Sequence, residues 1–346
     1  MYNFENKNRD PKGKPIIPKD KTKRKLNLPD EVKLDVLKFL SFNQLLSFQQ
    51  TNYSFYCLIR LNEGILACRR MYSVKTMVVQ YICKSSEEIK HYGDPKKTVE
   101  KYGIFKILFD DEIIKKWQSA VDRQIPVYLS TCGNPPNNKI YTRVEGLYVD
   151  YLKLPVYPKN IEEMKIARCW LERLFICTFQ HAEFKDYIFN PEMIKILFDS
   201  EKYIPTQFRV KYGTLTYRNL NIKNLLKFTL DHLIIINELG IKFKCFDKKE
   251  KCNNYILELL SNGGKNIHLI RFNIEKQALL DLIIKHIETK DCSNFISYIE
   301  IILNQDKTVI KENIIKNSRN PKILFKIYRD EMCGHILIVK KVDEEL

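Results

Sequence analysis

The pattern of hydrophobic positions changes abruptly at Leu26. Between Leu26 and about Asn62, apolar residues recur at intervals of three and four, which is typical of amphipathic helices. Pro29 suits the first position of a helix, because its missing N–H would have had no partner there. Asp30 and Glu31 place negative charge at the positive end of the helix dipole. The pattern therefore predicts a first helix that begins near Pro29, followed by two shorter ones.

Three short helices in roughly 35 residues are too few to bury their own apolar surface. In the first helix, Val32, Val36, Phe39 and Leu40 form one apolar stripe, and neighbouring leucines widen it beyond the needs of a simple surface helix. We therefore expect the surplus apolar surface to be covered either by the rest of the chain or by another protein.

From Ser73 to the end, strand-like and helical stretches alternate. Strands are predicted at 74–81, 125–130, 143–151, 207–212, 241–245, 268–272, 299–303 and 323–327, and helices at 104–121, 222–233, 255–260 and 275–287. The strand at 323–329 is expected to form a hairpin with 335–341. The fold class predicted for residues 73–346 is therefore α/β, as a strand–helix domain that follows the helical module at 26–65.

The second half of this domain contains a repeating unit. Taking Phe208, Ile241, Ile270, Ile299 and Phe325 as equivalent gives intervals of 26 to 33 residues, with an apolar helical stretch in most intervals. Such a unit is typical of a βα solenoid, in which each repeat covers its neighbour's face. It is similar to a degenerate leucine-rich repeat, although the L-x-x-L-x-L spacing is not evident. A single non-repetitive α/β domain accounts for the same pattern.

The segment from Leu28 to Leu40 resembles the opening of the F-box motif. A Leu-Pro pair precedes an acidic residue and an aliphatic helix that ends in Phe-Leu, and the resemblance continues through 43–48 and 52–59. Phe55 or Tyr56 stands where the family usually has a tryptophan in its third helix. A basic arm, an F-box and a strand–helix region in this order are also similar to the expanded F-box families of nematodes.

The F-box resemblance implies docking on the Skp adaptor of a Skp–cullin–F-box ubiquitin ligase, and through the adaptor on a cullin. By family position, the candidate adaptor contacts or their immediate supports are Leu28, Pro29, Val32, Val36, Leu37, Leu40, Leu45 and Phe48. Several of these residues would equally serve to hold the three helices together. Leu28 and Pro29, at the start of the first helix, are the strongest candidates for direct contact.

The net charge of the chain gives a second indication of its binding partners. The chain carries a net charge of +16, and residues 1–25 alone hold nine Lys or Arg and three Asp or Glu. We expect 1–25 to be a disordered basic arm, in which Lys21–Lys25 acts either as a nuclear import signal or as a solvated linker. A basic excess fits nucleic acid, an anionic membrane surface, an acidic protein partner or solubility alone.

Basic residues also alternate with apolar ones in the predicted strands. If the apolar residues point inward, one outward surface carries Arg209, Lys211, Lys242, Lys244, Arg271 and Lys326. Clusters of Arg and Lys bind acidic or phosphorylated segments through charge-assisted hydrogen bonds. The sequence therefore suggests a substrate-binding surface for such a segment, although an ordinary solvated strand face fits the same alternation.

The motifs of several enzyme classes are missing from the sequence. There is no glycine-rich phosphate-binding loop, no paired Cys or His spacing for zinc, and no nucleophile or metalloprotease motif. Ten cysteines are present, and most are expected to be buried thiols. We therefore predict no catalytic residues, no cofactor and no metal.

No apolar run approaches the ~18–20 residues that a membrane span requires. The first residues are polar and basic, unlike a signal peptide, so a cytoplasmic or nuclear protein is expected. The function predicted is a substrate-recognition subunit that docks on the adaptor and holds a target protein with residues 73–346. One alternative is a basic nucleic-acid-binding protein, although nucleic acid is the less favoured class of partner. The other is an adaptor-bound scaffold without a ligase role.

Overall fold

The structure is a computed structural model. It describes residues 28–40, 69–78, 111–131, 140–146, 149–199, 206–217, 222–243, 249–274, 277–303, 313–330 and 336–342, with isolated positions at 44–45, 48, 51, 54–55, 58–59, 62, 66 and 136. The predicted basic arm and Lys244 lie outside the described residues.

The chain forms a mixed α/β fold, as predicted. Within the described ranges, the helices with defined bounds are α1 (Asp30–Lys38), α2 (Asp111–Asp122), α3 (Ile161–Phe175), α4 (Pro191–Phe198), α5 (Ile222–His232), α6 (Lys249–Asn262) and α7 (Gln277–Thr289). The strands are β1 (Arg69–Val78), β2 (Tyr128–Ser130), β3 (Ile140–Glu145), β4 (Val149–Leu152), β5 (Cys177–Phe184), β6 (Tyr187–Phe189), β7 (Phe208–Tyr217), β8 (Leu233–Phe243), β9 (Leu269–Ile274), β10 (Tyr298–Leu303), β11 (Asn313–Lys316), β12 (Leu324–Arg329) and β13 (Ile336–Val342).

A single large sheet organises the fold. It has 11 strands in the order β11-β12-β13-β10-β9-β8-β7-β5-β1-β3-β4, and β2 and β6 form a separate pair. The six central strands, from β1 to β10, are parallel and follow one another in chain order. Parallel strands need crossover connections; helices α3 to α7 lie within these connections, and each contacts the next. Antiparallel strands complete both ends of the sheet.

The central strands share one spacing of inward residues. A buried position is followed, three and five residues later, by two more, as in Met71, Val74 and Thr76; Phe179, Ala182 and Phe184; Val210, Gly213 and Leu215; Ile267, Ile270 and Phe272; and Ile296, Ile299 and Ile301. In β8 the set is Ile235, Leu239 and Ile241, with one extra residue at a bulge. This is the L-x-x-L-x-L spacing that the sequence analysis missed, because few of these positions are leucine.

The predicted repeat was partly out of register. Ile270 and Ile299 pair directly, as the prediction requires. Ile241 lies two residues after the position of β8 that pairs with Ile270. Phe208 lies five residues before the corresponding position of β7. Both were misplaced because the two strands are longer than predicted. Phe325 lies in β12, which is antiparallel to its neighbours and outside the series.

The hairpin predicted near the end of the chain is confirmed, since β12 and β13 pair antiparallel from Leu324 to Arg329. The single strand predicted at 143–151 is wrong. Two strands, β3 and β4, pair antiparallel there, with Glu145 opposite Val149. Strand-like residues continue on both sides of Gly146, so the pattern alone did not reveal the reversal.

The main core lies between the sheet and the helices, and its centre is aromatic. The ring of Phe208 has its centroid 4.9 Å from that of Phe175, 5.2 Å from Phe189 and 6.1 Å from Phe228. All four rings are fully buried. A second, much smaller core lies beneath α1 and is separate from the first.

Candidate interaction surfaces

The small core beneath α1 uses only one side of that helix. Leu37 of α1 is buried with Leu45, Leu58, Ile59 and Leu66, and the partly buried side chains around them are Leu34, Leu40, Phe48 and Phe55. The rings of Phe48 and Phe55 meet edge to face with centroids 5.3 Å apart. Leu34, Leu37 and Leu40 are spaced by three, so they lie along one side of the helix.

The opposite side of α1 is apolar and exposed. Leu28 and Val32 are more than one third exposed, Val36 is 51% exposed and Phe39 is 91% exposed. Val32, Val36 and Phe39 lie at i, i+4 and i+7, so they form one stripe. Large exposed side chains clustered in this way mark an interaction site more often than isolated ones do. We call Leu28, Pro29, Val32, Val36 and Phe39 the α1 outer face.

The predicted adaptor-binding residues fall into two groups. Leu28, Pro29, Val32 and Val36 lie on the α1 outer face, whereas Leu37, Leu40, Leu45 and Phe48 lie in or against the small core. The second group is therefore placed to support the helices rather than to contact a partner directly. Phe39 was not predicted as a surface residue, because two apolar stripes of α1 were treated as one. The helical angles of these residues distinguish the two stripes.

The large sheet presents a second surface. Its open face carries the side chains that alternate with the buried ones, among them Lys75, Glu183, Thr214, Arg271 and Glu300, which lie in one row across the strands. The Nζ atom of Lys75 lies 3.4 Å from a carboxylate oxygen of Glu183. This row is therefore a mixture of both charges rather than a run of cations.

Arg271 of the open face is paired with two carboxylates. Its guanidinium lies 3.0 Å from Glu238 and 2.5 Å from Glu300, on the two neighbouring strands. Partial burial alone would lower the pKa of Arg271, but the hydrogen bond to Glu300 and the two carboxylate charges raise it above its usual value. Arg271 is thus held in place by the sheet's own carboxylates.

The predicted basic surface is not continuous. Arg209 and Lys211 lie near the start of β7, Lys242 lies exposed near the end of β8, and Lys326 lies on β12 with its Nζ 5.2 Å from the ring centroid of Tyr328. Arg271 stands between them with its two carboxylates. Alternation along one strand fixes which face a residue occupies, but the acidic residues of the neighbouring strands decide the charge of that face.

An aromatic group that was not predicted from the sequence lies next to Arg209 and Lys211. The rings of Tyr72 and His181 have centroids 5.4 Å apart, and those of His181 and Tyr212 are stacked at 5.5 Å. Tyr72 is 60% exposed and Tyr212 is 39% exposed. Together with the adjacent cations these residues form what we call the basic–aromatic corner, which consists of Arg70, Tyr72, His181, Arg209, Lys211 and Tyr212.

Replacing Arg271 by glutamine is expected to destabilise the chain by about 1 kcal/mol, because two carboxylates lose the cation between them and the site is only partly shielded from water. Urea-induced unfolding measures the change. Lys242→Gln is the matched control, because Lys242 is exposed on the same face, and it should leave the free energy of unfolding within 0.5 kcal/mol of wild type, roughly the range for surface substitutions. Equal effects of the two substitutions would contradict the role assigned to Arg271.

The described residues also include histidines, cysteines and carboxylates that lie outside these two surfaces. No group of three His, Cys, Asp or Glu side chains there is arranged to hold a metal ion. No helix within the described ranges is long and apolar enough to cross a membrane. Cys169, Cys177 and Cys292 are buried thiols that form no disulfide, and burial raises the pKa of Cys292 to about 11.

Two family models match the chain. Residues 26–64 match the F-box domain, which confirms the resemblance drawn from the helical motif. Residues 98–244 match a family described as Domain of unknown function (DUF8381), a range that includes β5 and β7 of the basic–aromatic corner but not β1. No curated protein and no solved structure matches the chain. The similarity to nematode F-box families stays a prediction.

Proposed function

We propose, from the F-box domain that the chain carries over residues 26–64, that it is a substrate-recognition subunit of a Skp–cullin–F-box type ubiquitin ligase. The family match supports a role in the adaptor interaction of such a ligase, and F-box proteins are typically non-catalytic. In this proposal the F-box module docks on the Skp adaptor, and through it on a cullin. The domain at 73–346 then holds a target protein.

The α1 outer face is the observation that carries this proposal. Its apolar side chains remain in water although the small core beneath α1 is already formed by the leucines on the other side. Removing apolar surface from water is favourable by about 25 cal/mol per Å², before the entropic costs of association are subtracted. Phe39, a large exposed aromatic side chain, is therefore the kind of anchor that binds in a partner's pocket and contributes much of the binding energy.

The larger domain is suited to hold a target because its central strands form one continuous parallel platform. We propose that its central strand–helix units are a degenerate solenoid, supported by the consecutive parallel strands, by the helices that contact one another in order and by the shared inward spacing. Tethering a target to such a platform raises the effective concentration of its lysines near the ubiquitin-loaded enzyme.

The same proposal includes the roles of residues 1–65 and the location of the chain in the cell. Residues 1–25 form a basic arm that acts either as a nuclear import signal or as a solvated linker. Residues 26–65 form the adaptor-binding module. The chain acts in the cytoplasm, the nucleus or both. An adaptor-bound scaffold without ligase activity would share all of these features. A reconstituted ubiquitination assay on a captured target distinguishes the scaffold from the receptor.

Co-purification with the Skp adaptor tests the proposal. The double substitution Leu28→Ala, Pro29→Ala should weaken adaptor binding about 30-fold, which corresponds to ~2 kcal/mol, because it removes apolar contact without touching the small core. Calorimetry or surface plasmon resonance with purified adaptor gives the dissociation constant. Phe39→Ala should weaken binding in the same direction.

The matched control is Asp35→Ala, Lys38→Ala, a polar ion pair (2.9 Å) exposed on the same helix. It should leave adaptor affinity within about twofold of wild type, as expected of an exposed pair. Undiminished binding by the Leu28, Pro29 variant, or no binding by wild type, would argue against adaptor docking through the α1 outer face.

A further inference from the structure

We propose that the basic–aromatic corner is the target-binding site of the large domain, and that it takes an extended protein segment bearing carboxylate or phosphate groups. This inference rests on the proposed receptor function, which it makes specific by naming a site and a substrate class. The corner lies on the three adjacent parallel strands β1, β5 and β7.

The cations of the corner converge on one place. Arg70, Thr178 and Arg209 lie side by side in register, so the two arginines stand on either side of a threonine. Neighbouring strands are about 4.8 Å apart, which places the two arginine Cα atoms ~10 Å apart. Guanidinium groups on side chains of this length can both reach an acidic group that lies above Thr178. Lys211, two residues further along β7, adds a third positive charge.

The charge balance sets the corner apart from the rest of the open face. Among the described residues, Lys75, Arg143 and Arg271 each contact a carboxylate, whereas Arg70 and Lys211 have none within 4.0 Å. Both are exposed. Charge complementarity therefore favours an acidic partner here and not at the middle of the face, where the sheet's own glutamates are bound.

The arrangement of the rings favours protein over nucleic acid. His181 is stacked on Tyr212 at an interplanar angle of 23°, and Tyr72 meets His181 at 61°. One face each of His181 and Tyr212 is therefore covered by the other ring, whereas single-stranded nucleic acid binds by stacking bases on free ring faces. Ring edges and tyrosine hydroxyls suit side chains and backbone groups of a protein segment.

The position in the sheet determines how such a segment binds. Strands β5 and β7 are paired on both sides at the corner, so their backbone hydrogen bonds are made within the sheet, whereas β1 pairs with β3 only from Ser73 onward. A segment that lies over β5 and β7 cannot join as an extra strand, as it would at a sheet edge. It must lie across the strands and bind through side chains, with its acidic group near Arg70 and Arg209 and its apolar side chains against the rings.

Selection from a displayed library of random twelve-residue peptides on the immobilised full chain tests the inference. Peptides that bind wild type should be enriched in Asp and Glu, with aromatic or aliphatic residues nearby. For a selected peptide, Arg70→Glu, Lys211→Glu should raise the dissociation constant at least tenfold, and so should replacing the peptide's own acidic residues by Asn or Gln. Tyr212→Ala should weaken binding more than Tyr212→Phe, which keeps the ring.

The control variant is Lys242→Glu, Lys340→Glu, which makes the same charge change at two exposed lysines elsewhere on the sheet. It should leave peptide affinity within twofold of wild type. Enrichment of neutral or basic peptides, no enrichment, or equal losses in both charge-reversed variants would overturn the inference. Salt-sensitive binding of poly-uridylate that Tyr212→Ala abolishes, without peptide binding, would overturn it in favour of nucleic acid.

Adaptor affinity of the same Arg70→Glu, Lys211→Glu variant separates the two proposals. It should equal that of wild type, because the substitutions lie in β1 and β7 and not in the F-box. Failure of wild type to bind the adaptor would contradict the receptor function while leaving the peptide result to decide the site. Failure of the peptide test with normal adaptor binding would contradict only the site.

Discussion

Replacing Phe208 by alanine is expected to lower the free energy of unfolding by about 4 kcal/mol. Phe208 is fully buried, and its ring centroid lies 4.9 to 6.1 Å from those of Phe175, Phe184, Phe189 and Phe228. These partners come from the sheet, from β6 and from two helices, so the core cannot collapse into the cavity by moving a single element. Equilibrium urea unfolding measures the change from the shift in midpoint at constant slope.

Phe39→Ala is the matched control, because it removes the same atoms from a side chain that is 91% exposed. The free energy of unfolding should stay within ~0.5 kcal/mol of wild type. The same variant is expected to lose adaptor affinity. Phe39→Ala should therefore reduce binding without reducing stability, whereas Phe208→Ala should reduce stability. A large loss of stability in Phe39→Ala would mean that the α1 outer face is covered by the chain itself.

Gly264→Ala is expected to destabilise the chain by about 3 kcal/mol, at the upper end for overpacking. A Cβ atom at Gly264 would lie 2.5 Å from the carbonyl oxygens of both Asn294 and Phe295. These are backbone atoms of the loop before β10, and Gly264 donates its own N–H to the Asn294 oxygen at 2.9 Å. The new methyl group can fit only if two successive strand–helix units move apart.

Gly240→Ala provides the control for the change in backbone entropy. A Cβ atom there would lie 3.7 Å from the nearest atom, the carbonyl oxygen of Gly213, which is ordinary contact. The substitution should be neutral or stabilise by a few tenths of a kcal/mol, roughly as expected for glycine to alanine without strain. Thermal unfolding of both variants checks the difference, and equal melting temperatures would contradict the close packing of the loop at Gly264.

Much of the fold followed from local patterns. The apolar spacing between Val32 and Leu40 indicated a helix, and α1 is observed from Asp30 to Lys38. The predicted strands at 268–272 and 299–303 lie within one residue of the start of β9 and β10. Ile270 and Ile299 were also correctly equated. Periodicity of this kind is a property of each segment alone, so it can be read without the rest of the chain.

The candidate surfaces were predicted less completely. Four of the eight proposed adaptor-binding residues lie on the α1 outer face, but Phe39 was not among them. The corner could not be assembled from the sequence, because Tyr72 and His181 are more than 100 residues apart and no local signal relates them. Their contact depends on the parallel pairing of β1 with β5.

By itself, the sequence determined that this chain begins its apolar pattern with an F-box-like helical module and continues as alternating strands and helices, because period and end signals act over a few residues. Only the tertiary structure decided which apolar residues of α1 stay in water, and which cations stay without a carboxylate beside them. Both depend on what the neighbouring elements place nearby. Arg271 and Lys211 look alike in the sequence, but only Arg271 lies between two glutamates of adjacent strands.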